Sequence, residues 1–479
     1  TLGELSLEID FQVVSPQAVS DLKFARPLDC LLLDHATDET FAELTRLPRC
    51  RSCVFDVDQS SPTAIRRLAE LIPAVQHLQL VGNQAEGGIT DDQLAELAGL
   101  ENLEEIEIVQ SPITDVGLQH LAKLKRLKRL FLWVCPELNG SDLAPIADLK
   151  TLREFDWMEP VSAGGLASIA GLDRLEKLRL NVAELQPGDV LPLAHLRHLH
   201  TLSLTYRDQN GEPIEIAADE LIEKVSLGDA IARALGKMPA LRILSLEMPL
   251  SNKGLALLTA PGKLQAVRLL LHEVNDRSLA LVSELPRLRQ LRLRGTAKLS
   301  DEAVAPLAKL TALVDLSLPA TDLTDAGLAQ LAPLTRLEYL NLPDSQITGS
   351  GLAALGCKSL KQLNLSGSSF DDVGCRNLPQ FAALEMLCLF DTKLTDAGLQ
   401  SIAELPKLEK LYVYDTTISD AGIVKLGSRA KLREVYAMGT TVSQKGVDRL
   451  HAAASGIWVI FDPAPPAPDE DDHVYFSAE

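Results

Sequence analysis

LTDAGLAQLAPLTRLEYLNLPDSQ, residues 323–346, decides the fold, because the next stretch of chain is a further copy of it. The cycle reopens at Ile347 as ITGSGLAALGCKSLKQLNLSGSS, at Leu394 as LTDAGLQSIAELPKLEKLYVYDT and at Ile418 as ISDAGIVKLGSRAKLREVYAMGT. A fixed period of this length is the mark of a solenoid, in which each unit contacts only its neighbours.

The clearest marker within the cycle is L-x-x-L-x-L. Its first apolar residue recurs at Leu2, Leu28, Cys50, Val75, Leu103, Leu127, Leu152, Leu175, Leu199, Leu241, Leu264, Leu288, Leu313, Leu337, Leu360, Leu384, Leu408 and Leu432. A degenerate last copy starts at Gly456, with Val459 and Phe461 in the remaining slots. Most gaps are 23 to 25 residues, with one outlier of 42 between Leu199 and Leu241, which makes about nineteen cycles. The x-L-x-L-x part alternates as a short strand with one buried face does. The T-D-A-G-L-x-x-L part has the three-or-four spacing of a short helix. Thr395 and Ser419 stand where N-caps belong, and Asp396 and Asp420 suit the helix N-terminus electrostatically. Pro333 and Pro406 fall where the helix should stop.

On these residues the chain resembles the leucine-rich repeat family over nearly all its length. The resemblance implies an α/β solenoid: a horseshoe with a concave parallel β-sheet and convex short helices. The consensus continues with an Asn or Cys slot, which Cys135 fills, while most copies carry Thr or Ser there, such as Thr392 and Thr416. With ITDVGL at 113–118, the pattern is similar to the ribonuclease-inhibitor-like and cysteine-containing branches, and to bacterial relatives with 24-residue cycles.

The unbroken register argues for one elongated solenoid domain over 1–462, with an acidic insertion at about 206–225. Insertions in solenoids map to loops, which often bind. From residue 463 the tail PAPPAPDEDDHVYFSAE abandons the repeat: a stiff proline run, an acidic cluster, then Val474, Tyr475 and Phe476. That end would either dock on the solenoid or a partner, or remain a solvated tail.

A net charge of −20 argues against a nucleic-acid or anionic-membrane ligand and would steer a basic protein partner. A monomer is expected. No apolar run reaches 18 residues and nothing resembles a signal peptide, although the chain opens at Thr1 without Met. The cysteine-rich caps of extracellular family members are missing, which favours a reducing, cytoplasmic compartment, with secretion the alternative if a leader was removed. The seven cysteines read as core thiols, since Cys50 and Cys53 take apolar strand slots and Cys375 takes a helical Leu slot.

If the sheet is pleated as expected, the residues flanking the second and third apolar slots point outward. The N-terminal copies then present Glu4, Glu8, Asp34, Asp56, Glu105, Glu107, Glu154 and Asp156. The middle copies present Arg129, Lys177, Arg179, Arg268, Arg292 and Arg294, and Phe131 with Trp133 forms a small aromatic step. The C-terminal copies present Phe390, Tyr412, Tyr414, Tyr436, Met438 and Trp458, a concentration drawn from only six Tyr and three Trp in the chain. Either a partner or the end cap of the solenoid would cover these rings. As candidates for partner binding we take the last group together with Phe131, Trp133, Arg292 and Arg294.

His195, His198 and His200 straddle a turn and should diverge, so no metal site is expected. No nucleophile elbow, phosphate loop or zinc-protease helix occurs, so neither a catalytic residue nor a cofactor is expected. The leading reading is a non-enzymatic protein-recognition scaffold. The alternative is a regulator or inhibitor of a partner enzyme, of GTPase-activating or nuclease-inhibitor type, with Arg292 or Arg294 reaching the partner's site.

Overall fold

The computed structural model describes residues 5–24, 26–57, 62–82, 87–138, 140, 143–208, 212–259, 263–297, 299–318, 322–428, 431–454 and 456–461. The acidic tail and Glu4 lie outside these residues. Two compact units, Thr1–Pro261 and Gly262–Glu479, divide the chain.

Among the described residues nineteen strands follow the repeat, running from Ser6–Asp10 to Trp458–Ile460. Within each unit every strand pairs in parallel with the next, and register is conserved from copy to copy. In the second unit one row runs Leu316, Leu340, Leu363, Leu387, Leu411, Val435, Val459. In the first, Leu78, Ile106, Leu130, Phe155, Leu178 and Leu202 do the same. All are buried, so the apolar slots of successive copies form a continuous core that no single repeat could close. The sequence expectation of an α/β solenoid of about nineteen repeats is met. Most helical parts are one or two turns long, such as Asp325–Gln330 and Asp396–Ile402, and Pro333 and Pro406 come after them as expected.

The T-D-x-G-L motif does more than cap its own helix. Thr395 Oγ1 accepts from Ala397 N at 3.2 Å, and Ser419 Oγ from Ala421 N at 3.2 Å, as N-caps do. The same hydroxyls donate to an aspartate of the preceding repeat: Thr395 to Asp372 Oδ2 and Ser419 to Asp396 Oδ2, each at 2.6 Å. The cap backbone N–H groups reach the other oxygens, at 2.9 and 2.7 Å. Thr114–Asp91, Ser251–Asp229, Thr324–Asp301 and Ser443–Asp420 repeat the rung. This rung explains the motif's glycine: a Cβ at Gly422 would fall against the Asp396 carboxylate. Gly349 occupies the Asp slot and interrupts the ladder there; at φ 97° it leaves room for the Phe370 ring.

Three residues past the strands Tyr339–Asn341, Met386–Cys388 and Lys410–Tyr412 stands a left-handed residue, Asp344, Asp391 and Asp415. Aspartate tolerates this conformation better than most residues. The next side chain then donates back to the strand: Ser345 to Leu342 O at 3.2 Å, and Thr392 and Thr416 to Leu389 O and Val413 O at 2.6 Å. Hydroxyls thus do locally, in the Asn or Cys slot, the turn-closing that the consensus assigns to Asn.

The insertion leaves the end of the strand Thr201–Thr205 as a hairpin, with Arg207 and Pro213 in an antiparallel bridge. Its last residues belong to the helix Leu221–Leu235, the longest in the described chain. Asn181 Nδ2 donates to Arg207 O at 2.8 Å and Arg207 pairs with Glu247 at 3.1 Å, tying the hairpin base to two strands.

Candidate functional site

Conserved register turns outward slots into rows, and the aromatic residues occupy three of them. Met386, Lys410, Glu434 and Trp458 form the first row; Cys388, Tyr412, Tyr436 and Ile460 form the second. Tyr412 and Tyr436 stack with centroids 4.3 Å apart and planes within 8°. Phe390 and Tyr414, one slot further, stack at 4.2 Å and 10°. Parallel strands about 4.8 Å apart put equivalent side chains near ring-stacking distance, so the sheet itself enforces the geometry. Trp458 is therefore not a further ring of the tyrosine row; it stands across from Glu434 and is 63% exposed. Tyr414 and Met438 are covered, at 8% and 5% exposure, whereas Phe390, Tyr412 and Tyr436 are half-buried.

The phenols are tied into a polar chain. Tyr436 Oη donates to Glu434 Oε2 at 3.1 Å, and Lys410 Nζ holds the same oxygen at 3.0 Å. Burial pushes the Tyr412 phenol well above its ordinary value, assisted by Tyr436 beside it. Burial, then Cys388 and Asp415, does the same to Tyr414. These rings stay neutral donors throughout the physiological range.

The charged outward residues do not form separate acidic and basic stripes. In successive strands Arg129 pairs with Glu105, Lys177 with Glu154 at 3.2 Å, and Arg179 with Asp156 at 3.3 Å. Each pair shares a register position. Glu107 differs: its partner is the neutral amide of Gln79, at 2.9 Å. Phe131 lies between Glu107 and Asp156 in register and meets Trp133 edge to face, with centroids 6.0 Å apart.

Arg292 sends Nε and Nη2 to Asp315 Oδ2 at 3.0 and 2.7 Å, and Asp315 is only 3% exposed. This is a diagonal contact, since Gln290 rather than Arg292 faces Asp315 in register. Burial pushes the Asp315 carboxyl up despite the arginine. Arg294 is exposed. His195 and His198 are exposed and His200 lies 3.7 Å from Glu176. Among the described residues no group of three or more His, Cys, Asp or Glu is placed to hold a metal. Cys50, Cys53, Cys135, Cys357, Cys375 and Cys388 are buried free thiols, and burial pushes Cys135 and Cys388 up to about 12. Such thiols are poor nucleophiles. No helix among the described residues is long and apolar enough to cross a membrane.

No protein-family model and no curated protein matches the chain. Solved structures do. An internalin from Listeria monocytogenes is 18% identical with a TM-score of 0.40, covering 79% of this chain and 91% of that one. A leucine-rich repeat protein of Leptospira interrogans is 18% identical with a TM-score of 0.45, over 84% and 92%. The plant peptide hormone receptor RGFR1, in complex with RGF2, is 14% identical with a TM-score of 0.44, over 96% and 72%. The fold is a leucine-rich repeat fold. That assignment rests on the repeat, the parallel register and the capped helical turns rather than on these distant overlaps.

Proposed function

We propose that the chain is a non-enzymatic protein-recognition scaffold that takes a protein partner on the exposed sheet face of its C-terminal repeats. The observation that carries this reading is the tyrosine row. Tyr412 and Tyr436 are pre-stacked and wired to Glu434 and Lys410, with Trp458 exposed one slot away. Rings held by their neighbours lose little side-chain entropy on binding, and Tyr and Trp dominate interface hot spots, where one anchor contributes about 2 kcal/mol or more. Tyr414 and Met438 are covered and stand one slot further along, where Tyr414 stacks on Phe390. By the family resemblance this face is the concave one, and Cys135 with the 24-residue cycles supports a ribonuclease-inhibitor-like or cysteine-containing-like repeat type. The solenoid would span 1–462, with 463–479 as a separate tail. The regulator reading leans on a reaching arginine, and Arg292 is committed to Asp315.

The test is capture from source lysate and then an isotherm with the purified captured protein. Tyr412→Ser/Tyr436→Ser/Trp458→Ser should weaken that isotherm at least about a hundredfold, two anchors' worth. Lys177→Ala should leave it unchanged. An unaltered isotherm in the folded triple variant would assign these rings to capping the solenoid end.

A further inference from the structure

We propose that the proline run at residues 463–468, PAPPAP, is the resident occupant of the aromatic face: it crosses Trp458, Tyr436 and Tyr412 in the polyproline II conformation, and a protein partner must displace it. This rests on the reading of that face as a binding surface and names what regulates access to it. The run lies outside the described residues; the rings, and the point where the chain leaves them, lie within.

The chain leaves from within the row itself. Ile460 faces Tyr436 in register and Tyr436 faces Tyr412, so the last strand delivers the backbone to the end of the tyrosine row. Only Phe461 and Asp462 separate Ile460 from Pro463. Three residues reach about 10 Å, enough to turn onto a ring one strand spacing of about 4.8 Å away. The period of the run then matches the period of the rows. Prolines hold the backbone near polyproline II, with about three residues per turn and a rise of about 3.1 Å each. Pro463 and Pro466 therefore share a face about 9.3 Å apart, as do Pro465 and Pro468. Two strand spacings come to about 9.6 Å, so one proline face meets side chains two strands apart. The stacked Tyr412–Tyr436 pair is the floor, and Trp458, 63% exposed and one slot away, is a wall. Aromatic surfaces take proline-rich segments because the segment is already extended and loses little entropy on docking. Four of the six residues are proline and carry no N–H, so the run cannot continue the sheet as a further strand beyond Trp458–Ile460. Its carbonyls need donors, and the exposed Trp458 indole carries one. The two-residue tether sets an effective concentration in the millimolar range, so contacts too weak to hold a free peptide suffice in cis.

The test uses the full chain labelled with fluorotryptophan, whose three tryptophans give three fluorine resonances, with Trp458→Phe assigning Trp458. Pro463→Ser/Pro465→Ser/Pro466→Ser/Pro468→Ser breaks the run without touching the solenoid. In this variant the Trp458 resonance should move and respond more strongly to heavy water, as its indole is uncovered, while Trp133 and Trp157 stay in place. A synthetic peptide of residues 462–470 should bind the variant saturably and bind the wild type about fivefold or more weakly, because the tethered copy competes. The same peptide with alanine for every proline should not bind, and adding Tyr412→Ser/Tyr436→Ser to the variant should abolish the effect of the native peptide. An unmoved Trp458 resonance, equal affinity of the peptide for the two chains, or binding of the alanine peptide would overturn the proposal. No partner takes part, so each of these results leaves the partner isotherm to stand or fall by itself. Conversely, an isotherm unaltered by Tyr412→Ser/Tyr436→Ser/Trp458→Ser would sink the partner reading and leave the fluorine comparison as measured.

Discussion

The strands Glu105–Val109 to Lys177–Asn181 and the strands Met386–Cys388 to Glu434–Tyr436 use one backbone plan for opposite ends. In both, alternate residues enter a leucine core and the rest form rows whose nearest neighbour is the same slot one repeat on. In the first stretch one row alternates acid and base, Glu105, Arg129, Glu154 and Lys177, and its charges pair across the strands. In the second the rows carry rings, which stack instead of cancelling and leave an organised surface. A parallel solenoid therefore reads its outward residues in rows: a residue's meaning depends on the residue one period away more than on its neighbours in sequence.

The largest expected effect tests what the two faces share. Leu130→Ala and Leu411→Ala remove equivalent core residues, both fully buried, and each should cost about 2–5 kcal/mol in urea unfolding. A cost confined to one face would mean the rows do not rest on comparable cores. Next comes the cap ladder. Asp396→Ala strips Ser419 of two hydrogen bonds, at 2.7 and 2.6 Å, and should cost about 1–3 kcal/mol. Asp91→Ala, the corresponding rung beneath the charged rows, should cost a similar amount through Thr114. A native-like melting temperature in either variant would reduce that rung to a local cap.

The solenoid, its strand rows and the capping role of Thr395 and Ser419 were legible in the sequence, because period and alternation are properties of the chain alone. The pairs Arg129–Glu105, Lys177–Glu154 and Arg179–Asp156 were present in it as well. Each partner stands at the same offset from its own leucine anchor, and comparing offsets between neighbouring copies would have found them. Arg292–Asp315 was less accessible because the contact is diagonal, and long side chains choose among several such neighbours. The aspartate ladder was hidden for another reason: an Asp at the start of a helix already has a sufficient local explanation in the dipole. How deeply Tyr414 and Met438 are covered depends on ring packing, which no slot count supplies.

A smaller effect measures the aromatic row directly. A double-mutant cycle with Tyr412→Ala and Tyr436→Ala should return a coupling of about 0.5–1.5 kcal/mol for the stacked pair. Coupling near zero would mean that each ring is held by its own strand, and that the row is not pre-organised.

The smallest effects belong to the charged rows, and their sign is more telling than their size. Lys177→Ala should cost less than about 1 kcal/mol, because the pair with Glu154 is partly open to solvent. Asp156 is different, since burial raises its carboxyl above the ordinary aspartate value in spite of Arg179. The folded chain then holds that proton more tightly than the unfolded chain. This contribution to stability is complete below the ordinary value of about 4 and is lost as pH rises through the raised folded value. Asparagine cannot titrate, so Asp156→Asn should gain on the wild type between about pH 4 and neutrality. The aromatic face should show no such slope: its phenols are pushed upward from an already high value, and Tyr412→Phe should track the wild type across the same range. Urea unfolding at several pH values decides it. A gap between Asp156→Asn and wild type that is independent of pH would mean that Arg179 already neutralises Asp156 in full, and it would erase the electrostatic contrast between the two faces.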